Sequence, residues 1–590
     1  MKPLYQDAGR GVAERVTDLL SRMTLDDKAG LLFHHAIGAA DRPAPAGVTA
    51  EHMIDACRMT HFNVMGAGPP REMAERHNLL QERAEQSRLG IPVTLSTDPR
   101  HAFTDNPGTA MMAGPFSQWP EALGLAAVGD TELVRRYADT VRREYLAVGL
   151  RVALHPQIDL TTEPRWSRIS ATFGEDAELT CRLVPAYLAG LRGPADELGP
   201  DSVAAMVKHF PGGGPQADGE DPHFPYGKEQ IYPGGFFDYH LEPFRAAIAA
   251  GATQVMPYYG MPVGTEYEEV GFGFNRCVIT GLLREQLGFD GIVCTDWGLL
   301  TDQRIMGEPH QARAWGVEDL TPAERALRVL HAGADQFGGE ACPELITALV
   351  RDGRLAESRL DVSVARLLAE KFRLGLFDDR RYVDPDAAEE IVGRADFRAE
   401  GEAAQRRSVT LLENRRDLLP MRGRPRLYAE GLDPSVVADY ADTADTPDQA
   451  DLAVLRLNTP YEPRQGQFES FFHAGRLDFD DVRLKKILAV LDAVPTVVVI
   501  HVERPAVIPE IADHCAALVA VYGIGDRALL DVLFGRSEPQ GRLPFQLPRS
   551  MSDVEAGRPD VPQESDNPLY PYGHGLRFAD TAGWDGRSRT

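Results

Sequence analysis

Residues 292–298 read IVCTDWG, an apolar, partly β-branched run that ends at an aspartate beside a tryptophan. A strand of this kind would carry Asp296 to the floor of a pocket, although a lone strand-end aspartate more often caps the next helix. Three other apolar runs stop at or just before Asp98, Asp159 and Lys208. With Arg168, His209, Tyr259 and Trp297 these residues form a set of carboxylates, cations and aromatic faces. Such a set suits a sugar, whose hydroxyls need charged hydrogen-bond partners and whose C–H faces stack on rings. That chemistry requires no cofactor.

The elements that must position these residues are short apolar runs separated by helix-like stretches. The runs are LLFHH (31–35), HFNVMG (61–66), PVTLS (92–96), RVALHPQI (151–158), AAMVK (204–208), ATQVM (252–256), GIVCT (291–295) and ADQF (334–337). Between them, segments such as 130–149 and 242–251 carry apolar residues three and four apart, as amphipathic helices do. Eight such units predict a (β/α)8 barrel over residues 1–377, a fold whose active sites lie at the C-terminal strand ends. A polar, proline-containing stretch at 378–398 reads as a linker. Further runs at 408–414, 451–457, 495–501 and 516–522 alternate with helical patterns at 480–493 and 526–534. They predict an α/β sandwich domain over 399–590 with a mainly parallel sheet.

Composition narrows the function classes. The 590 residues include 62 basic and 88 acidic side chains, a net charge of −26, which works against binding nucleic acid. No run approaches 18 apolar residues, so no membrane span is expected. The first residues lack the apolar segment of a secretion signal, from which we expect a cytoplasmic location. The six cysteines are scattered without a CxxC pair, and the histidines lack chelating spacing, so no metal site is expected. GIGDRA (523–528) imitates the opening of a dinucleotide loop but reads better as a tight turn into a helix.

The ordered series STDPRHAF (96–103), FSQWPEALGLAAVGD (116–130), EPRWSRISATFGED (163–176), VKHFPGGG (207–214), VMPYYG (255–260), CTDWG (294–298) and LYPYGHGL (569–576) resembles glycoside hydrolase family 3. The resemblance spans nearly the whole chain. It implies a barrel followed by an α/β sandwich, with the active site between them, and removal of terminal β-linked sugars with retention of configuration. It implies that Asp296 is the nucleophile and that Asp98, Arg168, Lys208, His209 and Tyr259 hydrogen-bond the reacting sugar. It places Trp297 as a stacking ring near the entrance. The implied substrate is a small β-glycoside or oligosaccharide, a β-glucoside first, with β-xylosidase, β-N-acetylglucosaminidase or an inactive sugar-binding protein as alternatives.

Retention requires a second carboxyl about 5–5.5 Å from the nucleophile to protonate the leaving oxygen. In two-domain relatives this acid comes from a variable loop of the sandwich domain. Here the corresponding segment is NTPYEPRQGQFESFFHAGRLDF (458–479), long for a connection in a parallel sheet and so a functional suspect. Glu462 in TPYEP is the first candidate and Glu469 in QFESFF the second. The N-acetylglucosaminidase branch of the family instead uses a loop histidine backed by an aspartate. In this chain Gly213 occupies that position, and the nearby Asp221 and His223 fall out of its register.

Overall fold

Each of the eight runs expected in the first domain forms one parallel strand of a closed barrel. The computed structural model describes residues 3–38, 48–104, 106 and 110–581. The strands are β1 (Phe33–Gly38), β2 (His61–Met65), β3 (Thr94–Thr97), β4 (Leu150–Ala153), β5 (Ala204–Phe210), β6 (Gln254–Pro257), β7 (Ile292–Trp297) and β8 (Gln336–Gly338). Each pairs with its sequence neighbours, and β1 closes on β8 with Phe33 opposite Phe337. The sequence encodes helix ends as clearly as strands. In the helix Thr131–Val148, Asp130 accepts from the Glu132 and Leu133 amides at the start, and Gly149 ends it in the left-handed conformation.

Side chains alternate between the two faces of a strand. Val152, Leu154, Ala204, Met206, Met256 and Cys294, all even-numbered, form one apolar cluster within the barrel. Continuing that parity toward the C-terminal ends brings Lys208 and Asp296 to the inside of the rim. Burial of the apolar half of each strand therefore sets the direction of its polar tip.

The 378–398 segment is itself folded. Asp384 caps a helix over Pro385–Ile391, and a second helix runs over Ala395–Ser408. Asn78 brackets Val383 with two hydrogen bonds, and Arg71 donates to Glu389, fastening the segment to the barrel flank.

The second domain is a six-stranded sheet. Its strands are β9 (Thr410–Asn414), β10 (Arg426–Glu430), β11 (Asp442–Thr443), β12 (Leu452–Asn458), β13 (Thr496–His501) and β14 (Ala517–Val521), in the order β9-β14-β13-β12-β10-β11. Only β9 runs antiparallel to its neighbour. The apolar runs do not predict β10 and β11. β11 lies at the sheet edge and is exposed, and β10 beside it is only partly buried, so both lack the continuous apolar run that marks the buried strands. The turn at 523–525 leads into the helix Asp526–Leu533, and Asp526 in its first turn pairs with Arg456 at 2.5 Å.

The C-terminal stretch laces the domains together. Tyr570 donates to Glu413 of the sandwich domain, while Asp560 accepts from the Gly234 and Phe236 amides of the barrel. The barrel carboxylate of Glu175 accepts from the Gln546 and Gln563 amides.

Candidate active site

A cavity of about 710 Å³ opens at the C-terminal mouth of the barrel, within the usual range for a small-ligand site. Asp98, Arg168, Lys208, His209, Tyr259, Asp296 and Trp297 all line it. Two of these pairs are consecutive in sequence, and a regular strand would turn their members to opposite faces. Both strands are irregular at that point. Along β5 and β6 the register shifts between Lys208 and Phe210; along β7 and β8, Cys294 pairs with Gln336 but Trp297 with Gly338. Such bulges re-aim side chains, which allows Lys208 with His209, and Asp296 with Trp297, to serve one cavity. Gly338 completes the arrangement, since a Cβ there would lie 2.4 Å from the Trp297 ring.

The polar groups are held by one another. Lys208 Nζ donates to Asp98 Oδ1 at 2.8 Å and Asn63 Nδ2 to Asp98 Oδ2 at 3.0 Å. Burial pushes the Asp98 carboxyl upward, but the Lys208 ammonium and the Asn63 amide outweigh it and hold the group below the usual carboxylate range. His209 Nδ1 donates to Asp159 Oδ2 at 2.8 Å, while Asp159 Oδ1 accepts from the His209 and Gly213 amides. Burial lowers the His209 pKa despite Asp159, so the ring is neutral near pH 7 with its Nε2 lone pair directed away from Asp159. That nitrogen stands 3.9 Å from Asp296 Oδ2.

Asp296 has two unequal oxygens. Oδ1 accepts from the Trp297 amide at 2.8 Å, and Oδ2 is buried without a hydrogen-bond partner among the described residues. A buried carboxylate oxygen that accepts from nothing is available to a bound ligand. Arg168 lies beside the cavity and donates to Gln157 at 3.2 Å. It does not pair with the two glutamates that could have claimed it, because Glu163 binds Arg165 and Glu175 binds backbone amides. Tyr259 donates its hydroxyl to the Trp297 carbonyl at 2.8 Å, and Arg313 donates to the same oxygen at 3.1 Å.

Sequence reasoning passed over Asn63, Arg313 and Glu340 and set His223 aside as out of register, yet all four line the cavity. Asn63 lies in the middle of β2, inside an apolar run and not at its end, so the criterion that picked out Asp98 does not reach it; Arg313 and Glu340 lie in loops without a motif. Burial pushes the Glu340 carboxyl up to about 7, a value that would suit a proton donor. Its oxygens are already committed, however: Oε1 accepts from the Leu300 and Thr301 amides and Oε2 from the Thr301 hydroxyl. Glu340 therefore ties down the loop after β7.

Neither acid candidate is among the residues that line the cavity, and the two differ in their surroundings. Glu462 is exposed and absent from the cavity wall; its amide donates to the Ala474 carbonyl, and its carboxylate lies against Gly475. Glu469 is half-buried, accepts from the Tyr226 hydroxyl, and directly follows Phe468, which does line the cavity. Barrel residues hold this loop: Glu220 accepts from Arg464, Glu308 from the Gln467 amide, and Asn106 donates to the Phe471 carbonyl.

Arg504 pins the loop from beneath. Fully buried, it donates to the carbonyls of Arg165 in the barrel and of Pro460 and Gly475 in the loop. Burial pushes its pKa down to about 10, which still leaves it charged at neutral pH. Arg504→Met should cost about 2–4 kcal/mol, because it strands three buried carbonyls at once. Urea unfolding curves compared with wild type check this.

The chain matches the family model for the glycosyl hydrolase family 3 N-terminal domain over residues 54–369 and that for the C-terminal domain over 426–578. It belongs to glycosyl hydrolase family 3. Among family 3 proteins it is 54% identical to β-glucosidase C of Emericella nidulans, over 98% of this chain and 94% of the relative. It is 43% identical to the periplasmic β-glucosidase/β-xylosidase of Dickeya chrysanthemi, over 97% and 91%. A β-glucosidase structure from Erythrobacter marinus superposes with a TM-score of 0.79 at 23% identity, covering 98% of this chain and 84% of that one. An exo-1,3/1,4-β-glucanase from a Pseudoalteromonas species does so with 0.79 at 22%, covering 98% and 97%. These structures share the two-domain fold of family 3.

Proposed function

We propose that this protein is an exo-acting β-glucosidase that works by a retaining double displacement. Asp296 Oδ2 attacks the anomeric carbon as the glycosidic C–O bond breaks, and Glu469 protonates the departing oxygen. Water deprotonated by Glu469 then releases the sugar from Asp296. Asp98, Lys208, His209 and Arg168 hold the hydroxyls of the reacting sugar, with Trp297 against its face. The observation that carries this reading is the unpartnered, buried Asp296 oxygen set among charged hydrogen-bonding groups in a cavity floored by the apolar barrel cluster. A floor at that depth favours attack on a chain terminus over its middle.

A β-xylosidase activity on the same site is the second reading, favoured by the dual name of the 43% identical relative. The N-acetylglucosaminidase alternative loses support at Gly213. A Cβ there would stand 2.8 Å from the Tyr258 ring, so the loop has no room for a histidine at that position.

The test is to follow hydrolysis of a nitrophenyl β-glucoside by proton NMR. Retention predicts β-glucose as the first product, before mutarotation. First formation of α-glucose would overturn the mechanism, and release from β-xylosides alone would overturn the sugar assignment.

A further inference from the structure

His223 and Asp221 lie in the long loop after β5, and the fold brings the imidazole to the wall of the active-site cavity. Asp221 is buried. Its Oδ1 accepts from His223 Nδ1 at 2.6 Å and from the His223 amide at 2.9 Å, while Oδ2 accepts from the Ser167 hydroxyl at 3.2 Å. Trp315 donates to the carbonyl of the intervening Pro222 at 2.9 Å, so the backbone between the two residues is also held. The carboxylate therefore sets the tautomer: Nδ1 carries the proton, and Nε2 is an acceptor with no partner among the described residues. Burial lowers the imidazole pKa despite Asp221, which keeps the ring neutral near pH 7.

The position of the ring assigns it to one side of the cavity. Its centroid is 4.7 Å from that of Tyr259, whose hydroxyl is bonded to the carbonyl next to Asp296. It also meets Phe472 at 4.8 Å and Phe468 at 6.0 Å, both in the sandwich-domain loop that carries Glu469. An acid must stand beside the oxygen it protonates, so that loop marks the side from which the leaving group departs. His223 thus touches both Tyr259, beside the reacting centre, and the loop on the leaving-group side.

We propose that His223, oriented by Asp221, accepts a hydrogen bond from a hydroxyl of the leaving group and so selects β-glycosides whose leaving group is itself a sugar. This inference rests on the glycosidase reading above. An aryl leaving group has no hydroxyl to donate and gains nothing from the Nε2 acceptor. A sugar leaving group satisfies a nitrogen that would otherwise be desolvated without a partner.

The experiment compares kcat/KM for a β-linked glucose disaccharide and for nitrophenyl β-glucoside in wild type, His223→Phe, His223→Ala and His223→Gln. In the Phe and Ala proteins the disaccharide-to-aryl ratio should fall about tenfold, the discrimination that one unpaired polar contact supplies. His223→Gln, whose carbonyl can accept, should recover most of the ratio. An unchanged ratio in these proteins, with equal losses on both substrates, would show that the ring only packs against Phe472 and would overturn the inference alone. A wild-type protein inert on both substrates would overturn the glycosidase reading together with it.

Discussion

Asp296→Asn is expected to lower kcat by about 10,000-fold or more, because no covalent intermediate can form without the attacking oxygen. The fold should survive, since Oδ2 has no partner to lose and the replacement can still accept from the Trp297 amide. A 2-deoxy-2-fluoro β-glucoside should inactivate the wild type and leave its sugar on Asp296, detectable by mass spectrometry of the peptide around 292–298. The fluorine slows breakdown of the intermediate, while a good leaving group keeps its formation fast. Labelling at another carboxylate, or turnover near the wild-type rate in Asp296→Asn, would remove Asp296 from the nucleophile's role.

Glu469→Gln should reduce kcat by about 100- to 10,000-fold on substrates with sugar leaving groups, the usual range for loss of a general acid. The loss should be smaller on nitrophenyl glucosides, whose leaving group needs no proton, and azide should restore turnover by attacking the glycosyl-enzyme without base assistance. Glu462→Gln should stay within a few-fold of wild type, because its carboxylate is exposed and away from the cavity wall. Azide rescue of Glu462→Gln in place of Glu469→Gln would reverse the assignment. The Glu469 substitution also weakens the bond to the Tyr226 hydroxyl, so a loosened loop is an alternative cause of lost activity. Azide rescue separates the two, since a displaced loop is not repaired by a nucleophile.

The eight barrel strands and β9, β12, β13 and β14 of the second sheet were legible because each is largely buried and so appears as a continuous apolar run. β10 and β11 were not, because a short, partly buried strand and a two-residue exposed one leave little hydrophobic trace. Among the site residues, Asp98, Lys208 and Asp296 could be read from their places at the ends of apolar runs. His209 and Trp297 entered as neighbours of those residues in sequence, and the family resemblance gave them their roles. Their position in the cavity depends on register shifts at Lys208–Phe210 and at Gln336–Gly338, which no alternation rule contains. Arg313, Glu340 and Arg504 carried no signal at all, since a loop residue acquires its role from partners far away in sequence.

The choice between Glu462 and Glu469 shows where sequence reasoning ends. Both lie in one loop with the same chemistry, and the sequence ranks Glu462 first. Their difference arises from contacts across the domain seam: Arg504 with the carbonyls of Arg165, Pro460 and Gly475, Arg464 with Glu220, and Tyr226 with Glu469. By itself the sequence determined the barrel, the parallel sheet and the direction of the rim residues, because hydrophobic periodicity is local and burial enforces it. Only the tertiary structure shows that Glu469 is half-buried beside the cavity-lining Phe468 while Glu462 is exposed, and that His223 faces the cavity, because those placements depend on packing between segments hundreds of residues apart.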